Sequence, residues 1–370
     1  MKRLNSIDTI RGFSIVLMII GHTIEWWRNQ SSKWFVIALH SLLGDVAAGG
    51  FLLTSGIGAA ILFRSRLVKA KFSEEFNLRM ARNEYIIRGL LILGIALIYN
   101  SCIAFATMNF TYIWKWYIPL TIAISLLLAF PLLKTSKWFR ILLGIFVLIA
   151  NYYILSFLLP FKGQANTLGV LFYILYNSLG LHPILCYFMM FLIGTVVGDL
   201  LFDIYLKEDQ NDRRIMFKRN FLFLLIIGGF ITTFGVFFLF PNFLKHASIS
   251  SMLYALGILL ILLSILLTIE EFKVFKMEKS YRFFYYYSYY SFTIYFAHNM
   301  FYFLFYHQLS VLNMCIALLG TFLLLTLLIR TIYKEYGEKF SLKMQIGKLS
   351  FSLTMIIEER LNKKYLKIVV

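Results

Sequence analysis

Residues 6–25 read SIDTIRGFSIVLMIIGHTIE, a hydrophobic run that keeps four ionisable side chains: Asp8, Arg11, His22 and Glu25. A helix turns about 100° per residue, so the eleven steps from Arg11 to His22 return to within roughly 20° of the same face, about 16 Å further along. Asp8 precedes Arg11 by three residues and Glu25 follows His22 by three, so each cation can meet an acid one turn away. A charge inside hydrocarbon costs from about 2.5 kcal/mol upward, and such residues in a spanning helix face a cavity or a partner. The stripe marks this run as a membrane span and as a candidate site.

The rest of the chain agrees. Of 370 residues, 60% are hydrophobic, 18% aromatic and only 15% charged, which excludes an ordinary soluble domain. Hydrophobic runs of about 20 residues recur along most of its length. The expected fold is an all-α polytopic integral membrane protein of about ten transmembrane helices with both termini cytoplasmic. After the basic N-terminus no small-residue cleavage site follows, so the first run reads as a retained span rather than a signal peptide. A net charge of +18 could suggest nucleic acid. Its placement between hydrophobic runs instead follows the positive-inside rule, and no nucleic-acid partner is expected. On this topology Arg28, Lys33, Lys115, Lys162 and Lys245 are external and the other basic residues cytoplasmic. Cys102, Cys186 and Cys315 lie in apolar runs without pairing or metal spacing and read as packing residues.

In chain order, spans are expected at about 9–27, 34–63, 88–106, 112–133, 141–159, 183–202, 221–240, 249–268, 284–306 and 312–329. Gly49-Gly50 should kink or break the second. Residues 167–181 read as an external interfacial or re-entrant segment, because a further crossing there would put the basic loop 207–219 outside. The aromatic run 283–290 reads as an interfacial belt, like Trp26 and Trp27. Residues 1–332 are expected to form one transmembrane domain and 333–370 a basic cytoplasmic amphipathic tail suited to an anionic inner leaflet.

His22 is the leading candidate for chemistry: an imidazole beside a carboxylate is a plausible general base near neutral pH. Arg79, Arg82 and Arg88 lead into the third span, and their planar forks suit the phosphates of a nucleotide-containing donor arriving from the cytosol. His40 and Asp45, on the second segment, could form an acceptor mouth. His298 sits in an apolar run and reads equally well as structural. His40, His182, His246 and His307 fall at external ends, no pair among these and His298 has metal-ligand spacing, and no metal is expected.

Asp8-x-x-Arg11-Gly12, with His22 eleven residues after the arginine, resembles the first membrane helix of the transmembrane acyltransferases. That group includes the acyltransferase 3 family and the heparan-alpha-glucosaminide N-acetyltransferase family. Phe51 to Gly56 is similar to the second-helix signature of the former, and Arg79-x-x-Arg82 to its paired arginines, although no proline follows Arg82. His182-Pro183 with Gly194 and Gly198 resembles a segment of the latter, and Tyr295 to His298 a late helix of both. The resemblance implies transfer of an acyl group, acetyl above all, from cytosolic acyl-coenzyme A to a hydroxyl or amine of a glycan or lipid-linked sugar on the external side. It implies His22 as catalytic histidine with Arg11 as motif partner, Asp8 and Glu25 orienting the cations, and Arg79, Arg82 and Arg88 on the donor. The aminosugar enzymes place their histidine beyond the first helix, which makes His40 the second candidate. The expected setting is the plasma membrane, with the bilayer, acyl-coenzyme A and a glycan acceptor as partners and a homodimer as one open state of assembly. The alternative is a small-molecule carrier or lipid flippase using the charged stripe as a proton relay, but no repeated halves accompany it.

Overall fold

The computed structural model describes residues 4–72, 76–177, 182–273 and 282–369, with side chains up to residue 361. The helices are α1 Asn5–Trp27, α2 Lys33–Phe72, α3 Leu78–Ala106, α4 Ile118–Leu132, α5 Lys137–Leu158, α6 Thr167–Tyr176, α7 Ile184–Tyr205, α8 Gln210–Phe237, α9 Ile249–Phe272, α10 Arg282–Tyr289, α11 Ser291–Ala297, α12 Val311–Glu335 and α13 Leu342–Val369. Among the described residues there is no strand element, and nine helices are long and apolar enough to cross a membrane. The protein is an all-α polytopic membrane protein, as the composition requires.

Helix starts follow local chemistry. Asn77, Ser136, Asn166 and Ser248 each accept a backbone N–H from the first turn of α3, α5, α6 and α9 respectively, satisfying a donor the helix leaves open. The Leu4 N-cap of α1 has no such side chain. Its first N–H groups, from Asn5 and Ser6, donate to the Glu270 carboxylate at the end of α9, at 2.9 and 2.8 Å. A carboxylate there also complements the helix dipole.

The chain divides into two compact units. The first contains Lys2–Thr54 and Ile204–Lys343. Within it, glycines allow helices to approach closely. A Cβ on Gly12 would strike the Phe284 carbonyl of α10, and one on Gly50 would strike Ser14 of α1 and Leu259 of α9. The expected break at 49–50 therefore does not occur: α2 runs unbroken, and Gly50 is small because α1 and α9 press against it.

The expected span at 284–306 is divided into α10, α11 and a 3-10 stretch from His298 to Phe303. Along α10, Phe284 meets Gly12 and Ser288 meets Asp8; beyond it, His298 meets His22 and Phe301 accepts from the Trp27 indole. The order of contacts along α1 changes between the two pairs, so the chain bends at Tyr290, whose φ and ψ are −98° and 16°. The break releases two carbonyls. Ser341 Oγ donates to Tyr289 O at 2.8 Å and Lys343 Nζ to Ser288 O at 3.3 Å. Irregular backbone in a membrane protein persists where the freed groups are satisfied in this way.

The second unit contains Ser55–Asp203 and Met344–Val370. Gly56 lies against the Phe191 carbonyl and Gly198 against that of Ile57, which sets α2 and α7 side by side. Asp199 on α7 takes both Arg64 of α2, at 2.8 Å from each of two guanidinium nitrogens, and the fully buried Arg140 of α5. One turn along the same helices, Lys137 pairs with Asp203 at 2.5 Å. Helix α13 returns to this unit, with Phe351 stacked on Phe76. Helix α6 has 10 residues, about 15 Å, half of what a crossing needs. That length suits the interfacial reading of 167–181, of which 178–181 lie outside the described residues.

Candidate functional site

The polar residues of α1 fall into two groups. Near its start, Asp8 is 4% exposed, accepts a hydrogen bond from Ser288 Oγ at 2.7 Å and lies 3.7 Å from Arg11 Nη1. Arg11 also donates through Nη2 to the Thr54 carbonyl at 3.1 Å. One carboxylate and one guanidinium thus tie α1 to the α10 corner and to α2. Charged hydrogen bonds of this kind are the strong ones in a dry setting.

Further along, His22 stands in a three-ring cluster. Its imidazole is 5.5 Å from the Trp26 indole and 5.2 Å from the imidazole of His298, which is 5.7 Å from Trp26. The indole is within 17° of parallel to each imidazole, and the two imidazole planes are tilted by 33° to each other. Tyr302 closes the cluster edge-on to Trp26 at 5.7 Å. His298 itself is buried and bonded through Nδ1 to the Tyr295 carbonyl. That bond leaves its other ring nitrogen as the one for further chemistry. His40 of α2 contacts α1 one residue from His22, through a 3.0 Å hydrogen bond between Nε2 and the Gly21 carbonyl. The first helix therefore brings His22, His40 and His298 to one level, with Asp8 and Arg11 about three to four turns away.

Glu25 is exposed, and the rings on His22 come from Trp26 and His298. Asp45 lies five residues beyond His40 on α2. Its carboxylate faces His246, at 2.6 Å from Nδ1, and the Ala247 N–H at 3.1 Å.

The three arginines differ in their surroundings. Arg79 Nε is 3.4 Å from Glu358 of α13, and Asn83 donates to the same carboxylate oxygen at 2.9 Å. Arg82 is exposed and bonds Asn83 at 3.4 Å. Arg88 is half-buried, with Nη2 near Gly347 of α13. All three belong to the second unit and the histidines to the first.

Trp26, Ser288 and the buried Arg140–Asp199–Arg64 group escape a sequence reading. Trp26 reads as one of a pair at an interface, and Ser288 is one hydroxyl within a tyrosine run. Arg140 and Arg64 read as loop charges. An acid at the end of an apolar run, as at Asp199, is the sole local hint.

The family model described as heparan-alpha-glucosaminide N-acetyltransferase, catalytic, matches residues 3–229, which include α1 to α7, most of α8, and Asp8, Arg11, His22, His40 and the three arginines. No curated protein matches the chain. With a family model covering more than half of its length and nine helices fit to cross a bilayer, the chain belongs to the heparan-alpha-glucosaminide N-acetyltransferase catalytic family and is a multi-pass membrane protein of acetyltransferase type.

Proposed function

We propose that the protein transfers an acetyl group from acetyl-coenzyme A to the amine of a sugar acceptor, with His22 as the proton acceptor. The observation that carries this reading is the His22–Trp26–His298 cluster on the helix bearing the Asp8-x-x-Arg11-Gly12 motif. The acceptor nitrogen attacks the thioester carbonyl as His22 takes its proton. The C–N bond forms, the C–S bond breaks, and the proton passes to the departing thiolate. His298 and Trp26 fix the ring plane of His22, and His40 holds the neighbouring backbone. Asp8 and Arg11 set the height of α1, which positions rather than performs the chemistry, and Glu25 supplies negative charge one turn from His22.

For the donor, the charge pattern and the family resemblance favour Arg79, Arg82 and Arg88, whose guanidinium groups would bind the nucleotide phosphates. In this reading the donor is cytosolic, the acceptor is a glycan or lipid-linked sugar on the far side, and the protein resides in the plasma membrane. Transfer requires no metal in this scheme.

The test is direct. His22→Ala should leave a folded, membrane-inserted protein that no longer releases coenzyme A thiol in the presence of glucosamine, whereas full activity removes His22 from the role. Arg82→Ala should weaken acetyl-coenzyme A binding to purified protein by about tenfold, the effect of losing one charged hydrogen bond.

A further inference from the structure

Between α8 and α9 the chain turns a corner that the family match does not reach, since His246 lies beyond residue 229. Three observations meet there. Asp45 of α2 is buried, while the His246 side chain bonded to it, Nδ1 to Oδ1 at 2.6 Å, keeps 30% of its surface open. The other carboxylate oxygen takes the Ala247 N–H at 3.1 Å. Ala247 itself has a φ of +55°, a left-handed conformation that a residue with a Cβ adopts at some cost and keeps only when its surroundings impose it. A surface ion pair would need neither the buried acid nor the strained corner.

With Nδ1–H given to a carboxylate, Nε2 of His246 carries the lone pair. This is the arrangement in which an acid fixes the tautomer of a base and stabilises the imidazolium that forms. The dyad sits on the same helix as His40, five residues or about 7.5 Å along α2. Titratable groups on the elements that carry and flank the dyad are His40 on α2, Lys245 in the corner and Tyr254 on α9, and Asp45 is bonded to the ring.

N-acetylation of an amine has a proton balance that one base does not close. At neutral pH a sugar amine is largely an ammonium ion with no lone pair. It must lose one proton before it can attack and a second as it attacks. We infer that Asp45 and His246 form the site that receives the ammonium acceptor and strips its first proton, ahead of the step at His22. The Asp45 charge attracts the cation, His246 Nε2 takes an N–H proton and leaves the neutral amine, and the open face of the imidazole returns that proton to water. The amine then attacks the thioester carbonyl, the C–S bond breaks, and its second proton passes through His22 to the thiolate. The sum is ammonium plus acetyl thioester giving amide, thiol and one released proton. This inference rests on the acetyl-transfer reading above.

The experiment follows thiol release and N-acetyl product with acetyl-coenzyme A and glucosamine as probes, across pH values below and above the amine's own pKa. His246→Gln should lose about a hundredfold in rate on the acid side. It should return toward wild type once the amine is already neutral, whereas His22→Ala stays low throughout. Asp45→Asn should move the acid limb of the profile to lower pH, because an imidazolium without its carboxylate gives up its proton more readily. A pH-independent loss in His246→Gln, or no loss, overturns the dyad. Absence of transfer by wild type overturns the acetyl-transfer reading instead. Carbethoxylation of wild type decides the dyad without either variant: glucosamine should protect His246 from diethyl pyrocarbonate, and unchanged labelling overturns the proposal.

Discussion

Asp199 is held between two guanidinium groups, one of them with no exposed surface. Taking charges out of water costs several kcal/mol per ion, and the group survives because each charge has a partner. Removal of the acid leaves two unbalanced cations. Asp199→Asn should destabilise the protein by about 3–5 kcal/mol, seen as a lower melting temperature in detergent. Arg64→Ala should cost less, since Arg64 keeps 31% of its side chain open to other partners. At this scale the sequence was partly legible. Asp8, Arg11 and His22 advertise themselves because charge in an apolar run is rare. His246 and Asp45 do not, because they are 201 positions apart in the chain and meet through a corner whose shape no local pattern encodes.

Helices reveal themselves by length and hydropathy, and most spans fell where the apolar runs put them. The exception is informative. Residues 284–306 have the composition of a span, yet the helix is interrupted at Tyr290, where Ser341 and Lys343 supply donors for the carbonyls released there. Nothing within the run announces that, since the compensating groups follow another helix. Gly49-Gly50 misleads in the opposite sense: a glycine pair reads as a weak point in one helix, whereas Gly50 serves contact among three. The same reasoning gives a test. Gly12→Ala places a methyl against the Phe284 carbonyl and should lower stability by about 1–3 kcal/mol, while Gly94→Ala in α3, with nothing within 4 Å, should be neutral or slightly stabilising. Equal melting temperatures for the two variants would contradict the close approach of α1 and α10.

Across the whole molecule, neither compact unit is a continuous stretch of chain: one takes α1 with α8 to α12, and the other takes α3 to α6 with α13. The last helix therefore serves the unit that holds Arg79, Arg82 and Arg88. Glu358 pairs with Arg79, and Phe351 covers Phe76. Glu358→Ala should release Arg79 and, if Arg79 binds the donor, tighten acetyl-coenzyme A by up to about fivefold in equilibrium binding, the scale of an exposed ion pair. Weaker binding would mean that Glu358 orients the arginine rather than competing for it. Composition could not disclose this, because the tail reads as a surface helix whichever partner it meets.

The corner at Tyr290 also bears on how the protein is made. While synthesis proceeds from the N-terminus, the segment that packs against α1 emerges before the serine and lysine that complete its backbone bonding. Until the ribosome has passed position 343, that loop has two carbonyls with no intramolecular donor from those side chains. Seating it beside the first helix is accordingly a late event in biogenesis, and a nascent chain arrested short of Ser341 would leave the neighbourhood of His298 unassembled.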